Sequence, residues 1–239
     1  MNAAKTLRIM PREMRMMAER ILSLTNLPKG VFLTMPDHVM FSQGLGLGGF
    51  AMLEEAFDEL RTADPRALAV ESEEGAALVL DCDGQHGWIA AAPVVDLMGE
   101  LVAAHGSATV KYVEANHPEE LAIVVPLARR AGLDVVLNGP ATFSATRLDR
   151  TGRIADDEPL LWSLLNDGTP IPAELWWRIY EMAKKALAPD TVVSRRHAGP
   201  MIVNDDGTVI GRKDNDDETD ISFLASGAGT AVRAGGAQQ

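Results

Sequence analysis

A single cysteine, Cys82, stands in a chain of 239 residues, so no internal disulfide can form. A chain this long buries roughly 70% or more of its unfolded surface, and it needs neither a disulfide nor a metal to staple its core. The missing disulfide framework fits a reducing, cytoplasmic setting. Long apolar runs are absent too: none reaches the roughly 18 residues that a membrane span requires, and the opening MNAAKTLRIMPREMRMM has no signal-peptide core. Basic residues are scarce, with 22 Lys and Arg against 34 Asp and Glu and a net charge of −12. Such a surface repels the phosphates of nucleic acids and anionic lipids, and no Lys/Arg stripe offsets it, so neither nucleic acid nor a membrane is an expected partner. No two histidines stand at H-x₃-H spacing and Cys82 has no cysteine partner, so no zinc site is indicated. A G-x-S-x-G elbow is also missing, although a Ser-His-Asp triad built elsewhere stays open.

What is present is an ordinary globular composition, 46% hydrophobic, in a pattern that changes along the chain. Residues 11–25 carry Met14, Met17, Ala18, Ile21 and Leu22 at helical spacing after Pro11, a residue suited to the first helical position. Their methionines belong to a core face by that spacing. A short helix from Pro36 and a longer one over 50–62 follow, separated by glycines. From there the rhythm alternates: strands over 67–72 and 76–81, a helix over 93–104 closed by Gly106, a strand over 109–113, a helix over 118–131 with a kink at Pro126, and a strand over 133–137. That succession indicates βαβ units. Residues 142–157 read as a loop, 160–165 as a short helix, 172–187 as a strong helix, and 201–203 with 208–211 as a hairpin. The fold class is α/β: a mixed, partly parallel sheet flanked by helices, with a helical N-terminal segment and a C-terminal helix plus hairpin. Residues 1–225 form one domain in this reading, divided into a helical part (1–62), a βαβ core (63–140) and a helix-and-hairpin part (141–225). The Gly- and Ala-rich 226–239 is a tail.

Several segments could carry chemistry. Asn116-His117 falls between a strand and a helix, the end of an open sheet at which ligands bind, and an imidazole there can act as an acid or base. His86 follows another strand and can reach the same crevice, although Asp83-Gly84 before it is first a turn signal. Ser194-Arg195-Arg196-His197 is the densest polar cluster, with arginine forks suited to a carboxylate. The expected catalytic groups are His117 and His197; the expected substrate-binding groups are Ser194, Arg195, Arg196, Asn116, His86 and Gln43. Gly44, Gly46 and Gly49 formally spell G-x-G-x-x-G, but no strand of useful length precedes them. Close packing or a strained loop explains those glycines better than a phosphate. The acidic run 214–220 spaces oxygens like a calcium loop yet lacks its glycine and terminal glutamate, so it is read as solvated and no metal is expected.

Taken in order, Asp81-Cys82-Asp83-Gly84-Gln85-His86-Gly87, Glu114-Ala115-Asn116-His117 and Gly168-Thr169-Pro170-Ile171-Pro172 with Leu175-Trp176 resemble segments of the type 2 malate/L-lactate dehydrogenase family, which includes sulfolactate, ureidoglycolate and cyclic imino-acid oxidoreductases. The similarity covers residues 11–138 and 166–188. It implies a homodimer and a nicotinamide pocket near His117. The chain departs from the family where a catalytic "SHG" becomes Ser42-Gln43-Gly44, where the "GTNP" and later Lys-Gly segments are missing, and in being shorter by about a third. The Ser194–Gly199 and Asp214–Asp220 segments lie outside that pattern and resemble a proteobacterial domain family of unknown function.

Three functions follow in order. The first is a cofactor-independent hydrolase, lyase or isomerase acting on a small anionic, carboxylate-bearing substrate. The second is an oxidoreductase using NAD or NADP on a 2-hydroxy or cyclic imino acid. The third is a non-catalytic subunit or small-molecule binding protein. The first depends on His117 and the 194–197 cluster meeting around one hollow.

Overall fold

A computed structural model describes residues 5–187 together with Ile202–Val203 and Val209–Ile210. The chain starts with β1 (Thr6–Ile9) and α1 (Pro11–Leu22), whose Met14, Met17, Ala18, Ile21 and Leu22 are buried as their spacing requires. The next helix, α2 (Lys29–Gly44), begins ahead of Pro36 and keeps that proline inside, where it offers no N–H to the turn before. The helix expected over 50–62 is two: α3 (Gly49–Glu55) and α4 (Phe57–Thr62), separated where Ala56 leaves helical geometry at ψ 7.

Five strands form the main sheet: β2 (Ala69–Glu74), β3 (Ala77–Asp81), β4 (Ser107–Val113), β5 (Leu133–Asn138) and β6 (Thr142–Arg147), in the order β2-β3-β4-β6-β5. Only β3 and β4 run parallel; the other pairs are antiparallel, so the sheet is mixed as the alternation implied. The parallel pair needs a crossover, which α5 (Gly87–His105) supplies. By length and hydropathy α5 could cross a membrane, but half of it is buried in this fold. Gly106, at φ 81, ends it in the left-handed region. After β4 comes a 3-10 segment, Pro118–Ile123, and then α6 (Val124–Arg130). Pro126 therefore falls in the first turn of a new helix, where its missing N–H goes unneeded, and the expected kink is replaced by a change of helix type.

Among the described residues, one face of the sheet is covered. Leu78, Leu80, Val110, Tyr112, Leu133, Val135, Phe143 and Ala145 are buried under α5 and α6. On the opposite face Thr109, Lys111 and Val136 are exposed. β6 was expected to be loop because its sequence is polar, yet Phe143 and Ala145 point inward at period two and suffice. Beyond it lie α7 (Ile154–Asp157), α8 (Pro159–Asp167), β7 (Thr169–Pro172) and α9 (Ala173–Lys184). β7 pairs antiparallel with β1, from Thr6 against Pro172 to Ile9 against Thr169. Residues through Leu187 form one unit. The expected hairpin is present, considered by itself, as β8 (Ile202–Val203) against β9 (Val209–Ile210).

Gly49 shows what the glycine cluster does. A Cβ there would collide with the Val39 carbonyl oxygen and lie 2.8 Å from the Gln43 nitrogen. The glycine thus lets α3 start against the side of α2. Gly49→Ala is expected to destabilise the protein by about 1–3 kcal/mol, the cost of overpacking, read as a lower urea midpoint at unchanged slope.

Candidate active site at the carboxyl ends of the parallel strands

Past Asp81 and Val113 the two parallel strands continue as loops zipped together by backbone hydrogen bonds. Cys82 N–H donates to Val113 O at 3.0 Å, Gly84 to Glu114 at 2.6 Å, Asn116 to Gln85 at 3.0 Å and Gly87 to Asn116 at 2.8 Å. The first loop turns at Asp83-Gly84, both with positive φ, and Asp83 N–H bonds the Asp81 carboxylate at 2.9 Å. The turn reading of that dipeptide is therefore right. The second loop holds Glu114 and His117 at φ 51 and 49, a conformation non-glycine residues adopt only when their surroundings over-determine it.

His117 projects from this strained position with its side chain 30% exposed. Its Nε2 lies 3.4 Å from Glu59 Oε2, on α4, and its Nδ1 lies 3.8 Å from Glu119. Glu59 also accepts from Asn116 Nδ2 at 3.3 Å, so one carboxylate ties both loop residues. The two ring nitrogens of His117 thus face one carboxylate each.

His86 lies directly beneath, its ring centroid 4.8 Å from that of His117. It is fully buried. Its Nδ1 accepts the Trp88 backbone N–H at 3.0 Å and so caps α5. Burial, with His117 and His38 beside it, pushes its pKa down to about 3. His38, from α2, is pushed down to about 4, mainly by burial and against the pull of Asp37. Behind both is Glu120, also fully buried, whose Oε2 accepts from Trp88 Nε1 at 2.7 Å. Burial raises its pKa above the usual carboxylate range. Cys82, raised to about 11 by burial and by Asp81, is an inert core thiol.

The structure thus brings together Asn116, His117 and His86 of the expected site. His86 lies under His117 rather than in a crevice open to substrate. Gln43 is bonded elsewhere: its Oε1 accepts the Phe50 N–H at 3.2 Å, closing the first turn of α3. Ser194, Arg195, Arg196, His197 and the acidic run 214–220 lie outside the described residues, and so does the hollow they were to share with His117. Sequence reasoning missed Glu59, His38, Ser42, Trp88 and Glu120. The one available signal was Glu120 three residues beyond His117 at the start of a helical segment.

No protein-family model matches this sequence, and no curated protein does. Solved structures do match in part. Among them are a sulfolactate dehydrogenase from Methanocaldococcus jannaschii (16% identity, 53% of this chain, 38% of that one, TM-score 0.43), a malate dehydrogenase from Pyrococcus horikoshii OT3 (14%, 56% and 40%, 0.44) and a malate dehydrogenase from Entamoeba histolytica (12%, 55% and 38%, 0.42). The matches span about two-fifths of those chains. These neighbours and the sequence resemblance name the same group of proteins.

The neighbours correct two expectations. All those described above are dehydrogenases by name, so the cofactor-independent hydrolase, lyase or isomerase is withdrawn. Dehydrogenation moves a hydride, which no amino-acid side chain accepts, so the expectation of no cofactor is withdrawn with it. The described residues fit only part of a nicotinamide dinucleotide. His117 can serve the proton-handling end. Glu59, Glu114 and Glu119 around it offer no cation to a pyrophosphate, and the glycines at 44–49 join two helices, with Gly44 packed against Leu164 and Gly49 against Val39 and Gln43.

Proposed function

We propose that this chain is an NAD(P)-dependent oxidoreductase of small 2-hydroxy or cyclic imino acids, with His117 as its acid/base residue. The observation that carries this reading is the position of His117: at the carboxyl end of a parallel strand pair, reachable from solvent, and paired through Nε2 with Glu59. Oxidation of a hydroxyl carbon releases one proton and one hydride. His117 takes the proton, and the Glu59 carboxylate beside it steadies the cation formed. Asn116 holds Glu59 in place. When bound, the nicotinamide supplies the hydride acceptor.

The test is direct. NADH and NADPH are titrated by fluorescence, followed by reduction of a panel of 2-oxo and cyclic imino acids. Binding below millimolar concentration with turnover is expected. His117→Ala is expected to lower turnover by roughly 10²–10⁴-fold with the nucleotide still bound. Absence of nucleotide binding, or full turnover in that variant, overturns the reading.

The working unit in this reading is a cytoplasmic homodimer. Support comes from the sequence resemblance and from the sheet, whose parallel pair is uncovered on one face by the described residues, although parallel strands are ordinarily covered on both. Light scattering at micromolar concentration is expected to give twice 25.7 kDa; a monomer alone contradicts this.

A further inference from the structure

The pole of the sheet opposite His117 holds a cavity of about 780 Å³. The 19-residue α5 separates the two, spanning roughly 28 Å at 1.5 Å per residue. Gly99, Val102, Ala103 and Gly106, at helical spacing in its second half, form one wall. The turn from α6 into β5 and the end of β6 close the other sides. The volume is in the range that takes small organic ligands, and none of the lining residues belongs to the site around His117.

Two observations say what the cavity takes. The first is charge. The chain has a net charge of −12, yet the ionisable side chains lining this space are Arg147 and Arg150, with no carboxylate among them. Arg147 ends β6 opposite Leu133, on the same face as Phe143 and Ala145 by period two, and has no partner among the described residues. Arg150 is held at the end of α6 by Nη2, which donates to the Arg130 and Arg129 carbonyls at 2.8 and 3.3 Å. Its Nε and Nη1 donors have no partner among the described residues. The second observation is Gly99. Gly106 and Gly132 sit at φ 81 and 83, where glycine is favoured. Gly99 lies inside a helix, where glycine is among the least favourable residues. A Cβ there would meet nothing within 4 Å, so close packing does not call for it either. Its missing side chain leaves room in the cavity instead.

We propose that this cavity binds a small phosphate monoester with an uncharged, largely apolar body: Arg147 and Arg150 take the phosphate, and the body lies along α5 at Gly99 and Val102. A phosphate monoester carries about −1.5 to −2 charges at pH 7. That matches two guanidinium groups with no acidic counterpart, whereas a single carboxylate leaves one of them uncompensated. The planar fork of arginine donors suits phosphate oxygens. Val102, Leu133 and Leu148 offer apolar contact to the body. Exposed charges alone bind weakly because salt screens them, so affinity comes from the two parts together. The site shares no residue with the His117 loops and does not rest on the oxidoreductase reading.

The test uses the full chain without nucleotide. Naphthyl phosphate, naphthol and inorganic phosphate are titrated at pH 7 and fixed ionic strength, and the amide signals of Gly99, Gly106 and Gly132 are followed by nitrogen–proton NMR. Saturable shifts at all three glycines are expected with naphthyl phosphate, and weaker binding with the other two. Arg147→Gln removes a side chain with no partner to lose. It is expected to weaken naphthyl phosphate roughly 10–100-fold, the worth of hydrogen bonds to a charged group. Gly99→Leu is expected to fold, since leucine favours a helix and its Cβ meets no atom, and to bind naphthyl phosphate no more tightly than inorganic phosphate. No saturable shift at the glycines, or unchanged affinity in either variant, overturns the proposal. Naphthol binding as tightly as its phosphate would show an apolar cavity without an anion site. Inorganic phosphate binding as tightly would show a cationic rim without a pocket; either result also overturns it. His117→Ala is expected to leave these affinities unchanged, so failure of the proposed activity and failure of this site are told apart.

Discussion

Acidification from pH 7 to pH 5 should cost this protein stability through two histidines, by about 2 kcal/mol each. His38 and His86 have folded pKa values of about 4 and about 3, below the ordinary 6.5, with burial as the main cause. In the unfolded chain both take up a proton as the pH falls through 6.5; in the folded protein neither does until well below 5. The unfolded state therefore binds more protons across this window, and stability falls as the pH falls. It is complete above 6.5 and stops declining only near the folded values. The groups acting on the pair are Asp37 from α2, Trp88 from α5 and His117 from the loop; Glu120, with Ser42 and Glu119 beside it, bonds the Trp88 indole. Urea unfolding at pH 7, 6 and 5 measures the loss. A replacement of His38 that folds, such as His38→Gln, should lose about half of the pH dependence. A flat profile in the unmodified protein would mean the two imidazoles are hydrated or charged in the fold.

Trp88→Ala should be the most damaging single substitution in the described part. Trp88 is the largest side chain among those fully buried. Its removal leaves a cavity, at roughly 3–5 kcal/mol for an aromatic truncated to alanine. It also strips Glu120 Oε2 of its donor, which adds about 1–3 kcal/mol for an orphaned buried acceptor. Domains of this kind are stable by roughly 5–15 kcal/mol in total. The alanine variant is therefore expected to express as aggregate or as a collapsed state without near-ultraviolet dichroism. Trp88→Phe separates the two causes, since it keeps most of the volume and loses the indole N–H. It should fold with a loss of about 1–3 kcal/mol, and Glu120→Gln should remove little further from it. Equal losses from Phe and Ala would show the hydrogen bond to dominate; no loss from Phe would show that the carboxyl finds another partner.

Much of the scaffold was legible because its signals are periodic. Core spacing in α1 and α9 and the β-branched run of β4 were strong enough to locate those elements to within a few residues. β6 was not legible: TFSATR carries two inward apolar side chains, and its outward serine and threonines resemble a loop until the sheet is assembled. β1 and β7 are four residues each, and each is a strand only because the other is beside it. α5 was expected to begin at Pro93, but it starts six residues earlier, at Gly87, where the His86 cap sets it. In the site, Asn116, His117 and His86 stood out because strand ends are where ligands gather. Glu59 did not, since a glutamate on a helix normally marks a solvated face. Its role comes from packing across 57 residues of sequence to Asn116. His38 and Glu120 were hidden for the same reason: their meaning depends on which helices come to enclose them.

The pairing of β1 with β7 also bears on how the chain is made. Every strand of the five-stranded sheet lies between Ala69 and Arg147, so that layer can assemble as soon as residue 147 clears the ribosomal exit tunnel. β1 is synthesised before any strand of that sheet, yet its partner is not exposed until Pro172 has emerged. Until then it is an unpaired edge of the sort that invites aggregation. β1 therefore has to wait, exposed, after the five-stranded layer is already complete.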